Sequence, residues 1–446
     1  MLQGYWVIPF VCMLLSIAIL PLTVPTFWHH NFGKVSAFWS LAFLVPFYFK
    51  FGFELALFEL LHTVLLEYIP FIILLLALFT VAGGVRLKGS LVGKPIVNLL
   101  VLLIGTVLAS WMGTTGAAML LIRPLLRANA HRKYRVHTVV FFIFLVANIG
   151  GSLTPLGDPP LFLGFLKGVS FFWTTKAMIV PMLFVAGILL VLFFIVDTAL
   201  YNAEGKPAPP RSADTGEKLG LEGTVNLVLL LGVIGSVLMS GMWKPGISWN
   251  VYHVPVELQN IMRDVFMLCI TGLSLKLTDP DSRRKNEFTW FPIVEVGKLF
   301  AGIFVSMIPA IAILKAGKEG ALKSLIALVT NEAGEPVNHM YFWLTGALSS
   351  FLDNAPTYLV FFNTAGGDAE RLMSSGPDGM YMTLLAISAG AVFMGANTYI
   401  GNAPNFMVRS IADDQGVKMP SFFGYMAWSF GILIPVFVGV MYVFFL

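Results

Sequence analysis

Residues 148–160 read Asn148-Ile149-Gly150-Gly151-Ser152-Leu153-Thr154-Pro155-Leu156-Gly157-Asp158-Pro159-Pro160, and apolar runs flank them on both sides. The flanks suit a hydrocarbon environment, but so much Gly, Pro and hydroxyl in the middle interrupts any regular helix. Broken backbone at membrane depth exposes N–H and C=O groups that lipid cannot satisfy, so it survives only where protein or a water-filled cavity supplies partners. Three further stretches have the same character: 113–116, 349–356 and 395–404.

Composition supports a lipid setting. Of 446 residues, 57% are hydrophobic and 12% charged, about half the charge of an ordinary soluble domain, and mean hydropathy is +0.82. Apolar segments recur at about 5–22, 36–52, 66–85, 95–127, 136–168, 171–197, 224–242, 255–276, 290–314, 337–364, 379–412 and 420–446, many of them near the ~20 residues needed to span a bilayer. The first segment lacks a basic leader and a small-residue cleavage site, so it reads as a retained span. The expectation is an all-α polytopic protein whose surroundings are membrane lipid. The net charge of +4 is no sign of nucleic acid, because Lys and Arg cluster in short loops, as membrane topology demands. Cys12 and Cys269 lie in apolar segments and imply neither a disulfide framework nor a thiolate metal site.

A Pro-rich, charged stretch at 201–222 divides the chain nearly in half, and the halves echo each other. Thr154-Pro-Leu-Gly157-Asp158-Pro-Pro160 aligns with Thr398-Tyr-Ile-Gly401-Asn402-Ala-Pro404. Each is followed by a Ser-Phe-Phe triplet, at Ser170 and at Ser421, and preceded by another break, at 113–117 and at 352–356. Arg86, Lys88, Lys94, Arg127, Arg132, Lys133 and Arg135 bracket 95–127, so both its ends belong in the cytoplasm and the segment reads as a re-entrant hairpin. Glu332, Glu335, Asp368 and Glu370 flank 337–364, which places its ends outside. The expected organisation is a first inverted repeat at 1–200, with a hairpin at about 95–127 and a broken helix at about 136–168. A cytoplasmic linker at 201–222 leads to a second repeat at 223–446, with a hairpin at about 337–364 and a broken helix at about 379–412. Lys206, Arg211, Lys218 and Arg283-Arg284-Lys285 fit the cytoplasmic side; Lys315, Lys318 and Lys323 fit it poorly.

Two carboxylates, Asp158 and Asp353, fall inside the breaks. An intramembrane carboxylate is costly unless a proton, a cation or a basic partner neutralises it. A site that holds a proton or a sodium ion, but not both, couples the two fluxes. The bland alternative is helix capping, since Pro159 follows one and Asn354 and Pro356 the other. Hydroxyls and amides suited to hard cations surround them: Thr114, Thr115, Asn148, Ser152 and Thr154 in the first half, Ser349, Ser350, Asn354, Thr357, Asn397, Thr398 and Asn402 in the second. Elsewhere, Glu54, Glu59, His62 and Glu67 recur at near-helical spacing and read as a surface or bundle-facing stripe, and Arg263-Asp264 as a local ion pair.

The runs 148–158 and 349–357 resemble the paired signatures of the ion transporter superfamily, the ArsB/NhaD-like permeases. The Thr-Pro-x-Gly-Asp and Asp-Asn-x-Pro elements are similar to those of NhaD-type sodium/proton antiporters, and the whole chain resembles bacterial proteins described as citrate transporters. That resemblance implies two inverted repeats, each with a re-entrant hairpin and a broken helix, an elevator-like movement, and a scaffold domain through which such proteins often form homodimers. It also implies a non-enzymatic protein of the bacterial inner (cytoplasmic) membrane. On motif positions, Asp158, Asp353, Asn354, Thr154 and Asn402 would carry sodium and protons, with no other cofactor. Pro159-Pro160 departs from the antiporter pattern, which has small polar residues there. The alternative is a cation-coupled symporter of citrate or another di- or tricarboxylate, against which the additional Asp at 353 argues. An intramembrane aspartyl protease fails, because Tyr-Asp is absent and residues 155–158 read Pro-Leu-Gly-Asp.

Overall fold

The computed structural model describes residues 2–89, 91–207, 219–376 and 378–446. Pro209, Pro210, Arg211, Asp214, Glu217 and Lys218 of the expected linker lie outside the described residues. The chain is almost wholly helical: α1 Ile8–Thr23, α2 Pro25–Phe51, α3 Phe53–Thr63, α4 Ile69–Gly83, α5 Pro95–Met112, α6 Thr114–Ala128, α7 Val136–Leu145, α8 Pro159–Leu166, α9 Phe171–Ala203 and α10 Val225–Met242. There follow α11 Leu258–Leu277, α12 Pro280–Lys285, α13 Phe291–Lys315, α14 Lys323–Val329, α15 Asn338–Phe351, α16 Asn354–Thr364, α17 Ala369–Met373, α18 Tyr381–Met394, α19 Ala403–Asp414 and α20 Phe422–Val440. Among the described residues, nine helical stretches are long and apolar enough to cross a bilayer. Their outward faces carry Phe49, Leu183, Val228 and Phe423, side chains that only lipid would solvate. The protein is an all-α polytopic membrane protein.

Several elements differ from the sequence reading at their edges. The segment expected at 36–52 belongs to a helix that begins at Pro25, because the His29–Lys34 stretch can reach the membrane surface without breaking the turn. Residues 53–83 form one helical stretch, α3 and α4 joined by a π turn at Val64–Tyr68. The described ends of the expected linker belong to regular elements: α9 continues to Ala203, and Gly220–Glu222 pairs antiparallel with Arg86–Lys88. A second short ribbon joins Ser248–Val251 to Val254–Glu257. Arg263 donates to Asp264 at 2.8 Å, the local pair expected.

The helices pack as two groups. α1–α4 with α10–α13 form one; α5–α9 with α15–α20 form the other; they meet mainly where α4 and α13 lie against α6, α8 and α16. The second group contains every break. α5 and α6 are antiparallel neighbours joined only by Gly113, whose φ of 80° is a conformation that suits glycine. α7 gives way to a 3-10 turn at Ile149–Leu153 before α8, and α18 to a 3-10 turn at Gly395–Asn397 before α19.

Candidate functional site

The breaks are held open by the polar side chains within them, in contacts that occur twice. Thr154 donates its hydroxyl to the Ser110 carbonyl, and Thr398 donates to that of Ser350. Each threonine oxygen then accepts a backbone N–H two residues on, from Leu156 and from Ile400. Ser110 Oγ reaches the Gly150 carbonyl at 2.5 Å, and Ser350 Oγ the Met394 carbonyl at 3.1 Å. A Cβ at Gly157 would collide with the Gly151 carbonyl, and one at Gly401 with that of Gly395. These bonds satisfy backbone groups that the missing helical turns leave unpaired.

Asp158 stands where the four breaks converge, 1% exposed. It occupies the N-cap of α8 but does not cap it. Its oxygens instead accept from Thr114 Oγ1 (3.2 Å), Asn354 Nδ2 (2.6 Å) and Asn402 Nδ2 (3.0 Å), one donor from each of the other three breaks. Asn402 likewise leaves the N-cap of α19 uncapped and turns to Asp158. No basic side chain pairs with Asp158 among the described residues. What compensates its charge is the three amide and hydroxyl donors, with the first turns of α6, α8, α16 and α19 starting beside it, whose positive dipole ends favour negative charge. Asn354 Oδ1 is buried with no hydrogen-bond partner. It is a free oxygen on a residue that already touches Asp158.

Asp353 differs. Its Oδ1 accepts from Ala355 N at 3.0 Å, so it caps α16, and it makes no hydrogen bond to the Asp158 cluster. Both aspartates nevertheless line one cavity of about 390 Å³, together with Thr114, Thr115 and Asn402. Its wall continues along α6 to Arg123 and along α19 to Ser410 and Ile411, and it is completed by the cavity-facing parts of α4 and α13. α6 leads to Arg127 and Arg132, and the loop after α19 meets Arg135 at the Gly416 carbonyl. The cavity therefore reaches solvent on the side of the basic loops, where its lining residue Glu287 is exposed, and Asp158 lies on its buried wall.

The remaining expected residues divide by role. Asn148 donates to the Ile143 carbonyl and to Asn405 Oδ1, and its own oxygen accepts from Asn402, so it stands behind the cluster. Asn397 donates to Ser350 Oγ, and its oxygen is buried without a partner. Ser152, Ser349 and Thr357 are bonded to backbone carbonyls, those of Ile149, Ala391 and Asp353, and do not touch Asp158. Among the described residues, no three His, Cys, Asp or Glu side chains gather as a metal site. The sequence reading missed Ser110 and Asn405. Asn405 bonds the Gly395 and Thr398 carbonyls and fixes the second break; its place one turn after Asn402 was the available signal.

The chain matches, over residues 1–445, a family described as “Putative citrate transport”. It is also similar to proteins called uncharacterized transporter in Mycobacterium bovis and in Mycobacterium tuberculosis, each 24% identical over 335 residues, covering 73% of this chain and 72% of the relative.

Proposed function

The chain belongs to the family described as “Putative citrate transport” and is a membrane transporter, and we propose that its cargo is a sodium ion exchanged for protons at Asp158. One observation carries this reading: Asp158 is fully buried on the wall of a cavity, and every partner it has is neutral. A carboxylate in that position gains most from a proton or a small cation arriving through the cavity, and it cannot hold both. Asn354 Oδ1, Thr114 Oγ1 and the nearby Asp353 supply oxygens of the kind that sodium or lithium prefers. Four acidic residues, Asp158, Asp353, Glu287 and Glu295, and one base, Arg123, line the cavity, a balance that concentrates cations. Thr154, Thr398, Ser350, Asn148 and Asn397 support the site by holding the breaks.

The proposal includes two inverted repeats, 1–200 and 223–446 about the 201–222 linker, and an elevator-like movement of the second helix group against the first in a bacterial inner membrane. The duplicated contacts of Thr154 and Thr398 support the repeats. A homodimer through scaffold helices of the first group is part of the same reading.

A second reading, cation-coupled symport of citrate or another di- or tricarboxylate, draws on the family description and on the cavity, which is far larger than a bare ion requires. Purified protein in liposomes with an internal pH reporter separates the two. Sodium and lithium jumps without any organic anion should dissipate an imposed proton gradient, and potassium should not. Flux that appears only when citrate or a related anion is added would replace exchange by symport.

A further inference from the structure

Asp158, Asp353 and all four breaks belong to the second helix group, so transport by alternating access requires that group to move past α4 and α13. The surface between them is largely apolar; Leu78 of α4 lies against Gly113, and Ala82 against Gly116. Apolar contact is non-directional and sets no register of its own. Among the described residues, two side-chain ion pairs cross from one group to the other. Arg123 of α6 donates Nε and Nη2 to one oxygen of Glu287, at 3.1 and 2.8 Å. Lys167, just past α8, donates to Glu67 at 2.5 Å.

The pairs sit on opposite sides of Asp158. Arg123 is nine residues beyond Thr114 on α6, which leads to the basic loops; Lys167 is nine residues beyond Asp158, where α8 continues away from them. At ~1.5 Å per residue each is about 14 Å from the break, in opposing directions. Neither acid sits on an ordinary helical turn. Glu67 is in the π turn between α3 and α4 and is 6% exposed, a helix irregularity often found at functional positions. Glu287 has φ 53° in the turn before α13.

We infer that Glu67–Lys167 and Arg123–Glu287 are paired tethers that fix the register of the moving group against the frame in the state open to the basic loops, and that both must break for the cavity to change sides. These four are positioning residues; none touches Asp158. A displacement of a few ångströms leaves Glu67 and Lys167 as separated, poorly solvated charges, so the pair opposes partial movement as well as holding the end state. The inference rests on the alternating-access part of the proposed function.

The test reads the state and not the flux. In full-length protein with Cys12 and Cys269 replaced by alanine, Met119→Cys places a thiol on the cavity wall, to be labelled with a membrane-impermeant maleimide from the basic-loop side in sealed vesicles. Glu67→Gln with Glu287→Gln should slow labelling by at least about threefold as the population shifts to the other state, and Glu287→Gln alone, on an exposed turn that does not endanger folding, by about twofold. Glu67→Gln alone should slow labelling to a similar degree, and Glu67→Lys with Lys167→Glu should restore the original rate. Unchanged labelling in Glu287→Gln and in the double variant, or no recovery in the exchanged pair, overturns the tethers. If Asp158→Asn loses flux while labelling ignores the tether variants, the tethers alone are wrong; if labelling shifts while Asp158→Asn transports normally, the exchange site alone is wrong.

Discussion

Two aspartates of the first half are equally buried and oppositely treated. Asp197, on α9, is 0% exposed and accepts from Arg132 (2.5 Å), His137 (2.9 Å) and Asn98 (2.8 Å), with Glu204 on the far side of the same guanidinium at 3.6 Å. Asp158 is 1% exposed and has only hydroxyl and amide partners. Burial alone therefore does not mark a working residue. The charge of the partner does: Asp197 is neutralised by a group that stays with it, and Asp158 is left for something mobile to neutralise.

The comparison breaks first at Asp197. Asp197→Asn removes the nearer of the two counter-charges of Arg132 and leaves it Glu204 at 3.6 Å; removal of one member of a buried pair costs about 3–5 kcal/mol, and the remaining acid keeps the loss toward the lower figure. The thermal midpoint of detergent-solubilised protein should fall by many degrees, with transport per folded molecule retained. An unchanged midpoint would place Asp197 among dispensable contacts and remove the contrast.

Asp158→Asn should do the reverse. The amide keeps the size of the side chain; its oxygen can still accept from Thr114 and Asn402, and its NH2 can donate to Asn354 once that amide turns its free Oδ1 toward it, so the midpoint should hold. Sodium-driven proton flux should fall at least about tenfold, ~1.4 kcal/mol in the limiting step, because an amide exchanges no proton for a cation. Near-normal flux across a pH series at matched protein amounts would contradict exchange at this residue.

These two sites were unequally legible in the sequence. Asp158 announced itself through local composition, since Thr-Pro-Leu-Gly-Asp-Pro-Pro inside an apolar run has few other uses, and the same property marked Asn354 and Asn402. Asp197 lies in an unbroken apolar helix with no local signal; its partners come from residues 98, 132 and 137, and only packing brings them together. Glu67 and Lys167 are a hundred residues apart, and Arg123 and Glu287 further still. Element positions were readable because hydropathy and helix breakers are local properties, whereas the extension of α2 back to Pro25 was hidden by the polar His29–Lys34 stretch, which hydropathy counts against a span. Which break residue would cap and which would face the cluster was not readable either: Asp158 and Asp353 both precede helix-start chemistry, and three-dimensional proximity alone sends Asp158 to its neighbours' donors while Asp353 caps its own helix.

That division gives Asp353 an intermediate place. Asp353→Asn preserves a cap, as asparagine is as good an N-cap as aspartate, and leaves the donors of Asp158 untouched. It removes one negative charge from the wall of the cavity. Flux at subsaturating sodium should fall about threefold, ~0.7 kcal/mol, and most of the loss should appear in the apparent sodium affinity. A loss as deep as that of Asp158→Asn would make the two carboxylates one shared site; no loss would reduce Asp353 to its cap.

The smallest effect belongs to a third kind of carboxylate, at the protein surface. Glu222 faces Arg86 across the β ribbon of 86–88 and 220–222 and accepts from it at 2.9 Å, with Lys88 at 3.9 Å. The hydrogen bond from Arg86 holds the Glu222 carboxyl below the ordinary glutamate range, which is about 4.3. A carboxylate whose folded value is depressed contributes its stability above the unfolded value and loses it as pH falls through the folded one. Glu222→Gln should therefore lower the thermal midpoint slightly and constantly from pH 8 down to about 5, and the difference should vanish in more acid solution. Water and salt screen this pair, so the contribution is a few tenths of a kcal/mol, and 0.5 M salt should erase most of it. Flux should not change, because neither Glu222 nor Arg86 lines the cavity or belongs to an ion pair between the helix groups. A salt-insensitive loss, or one that grows toward low pH, would mean that Glu222 is held by something other than Arg86, and the graded series from compensated to free carboxylate would lose its exposed end.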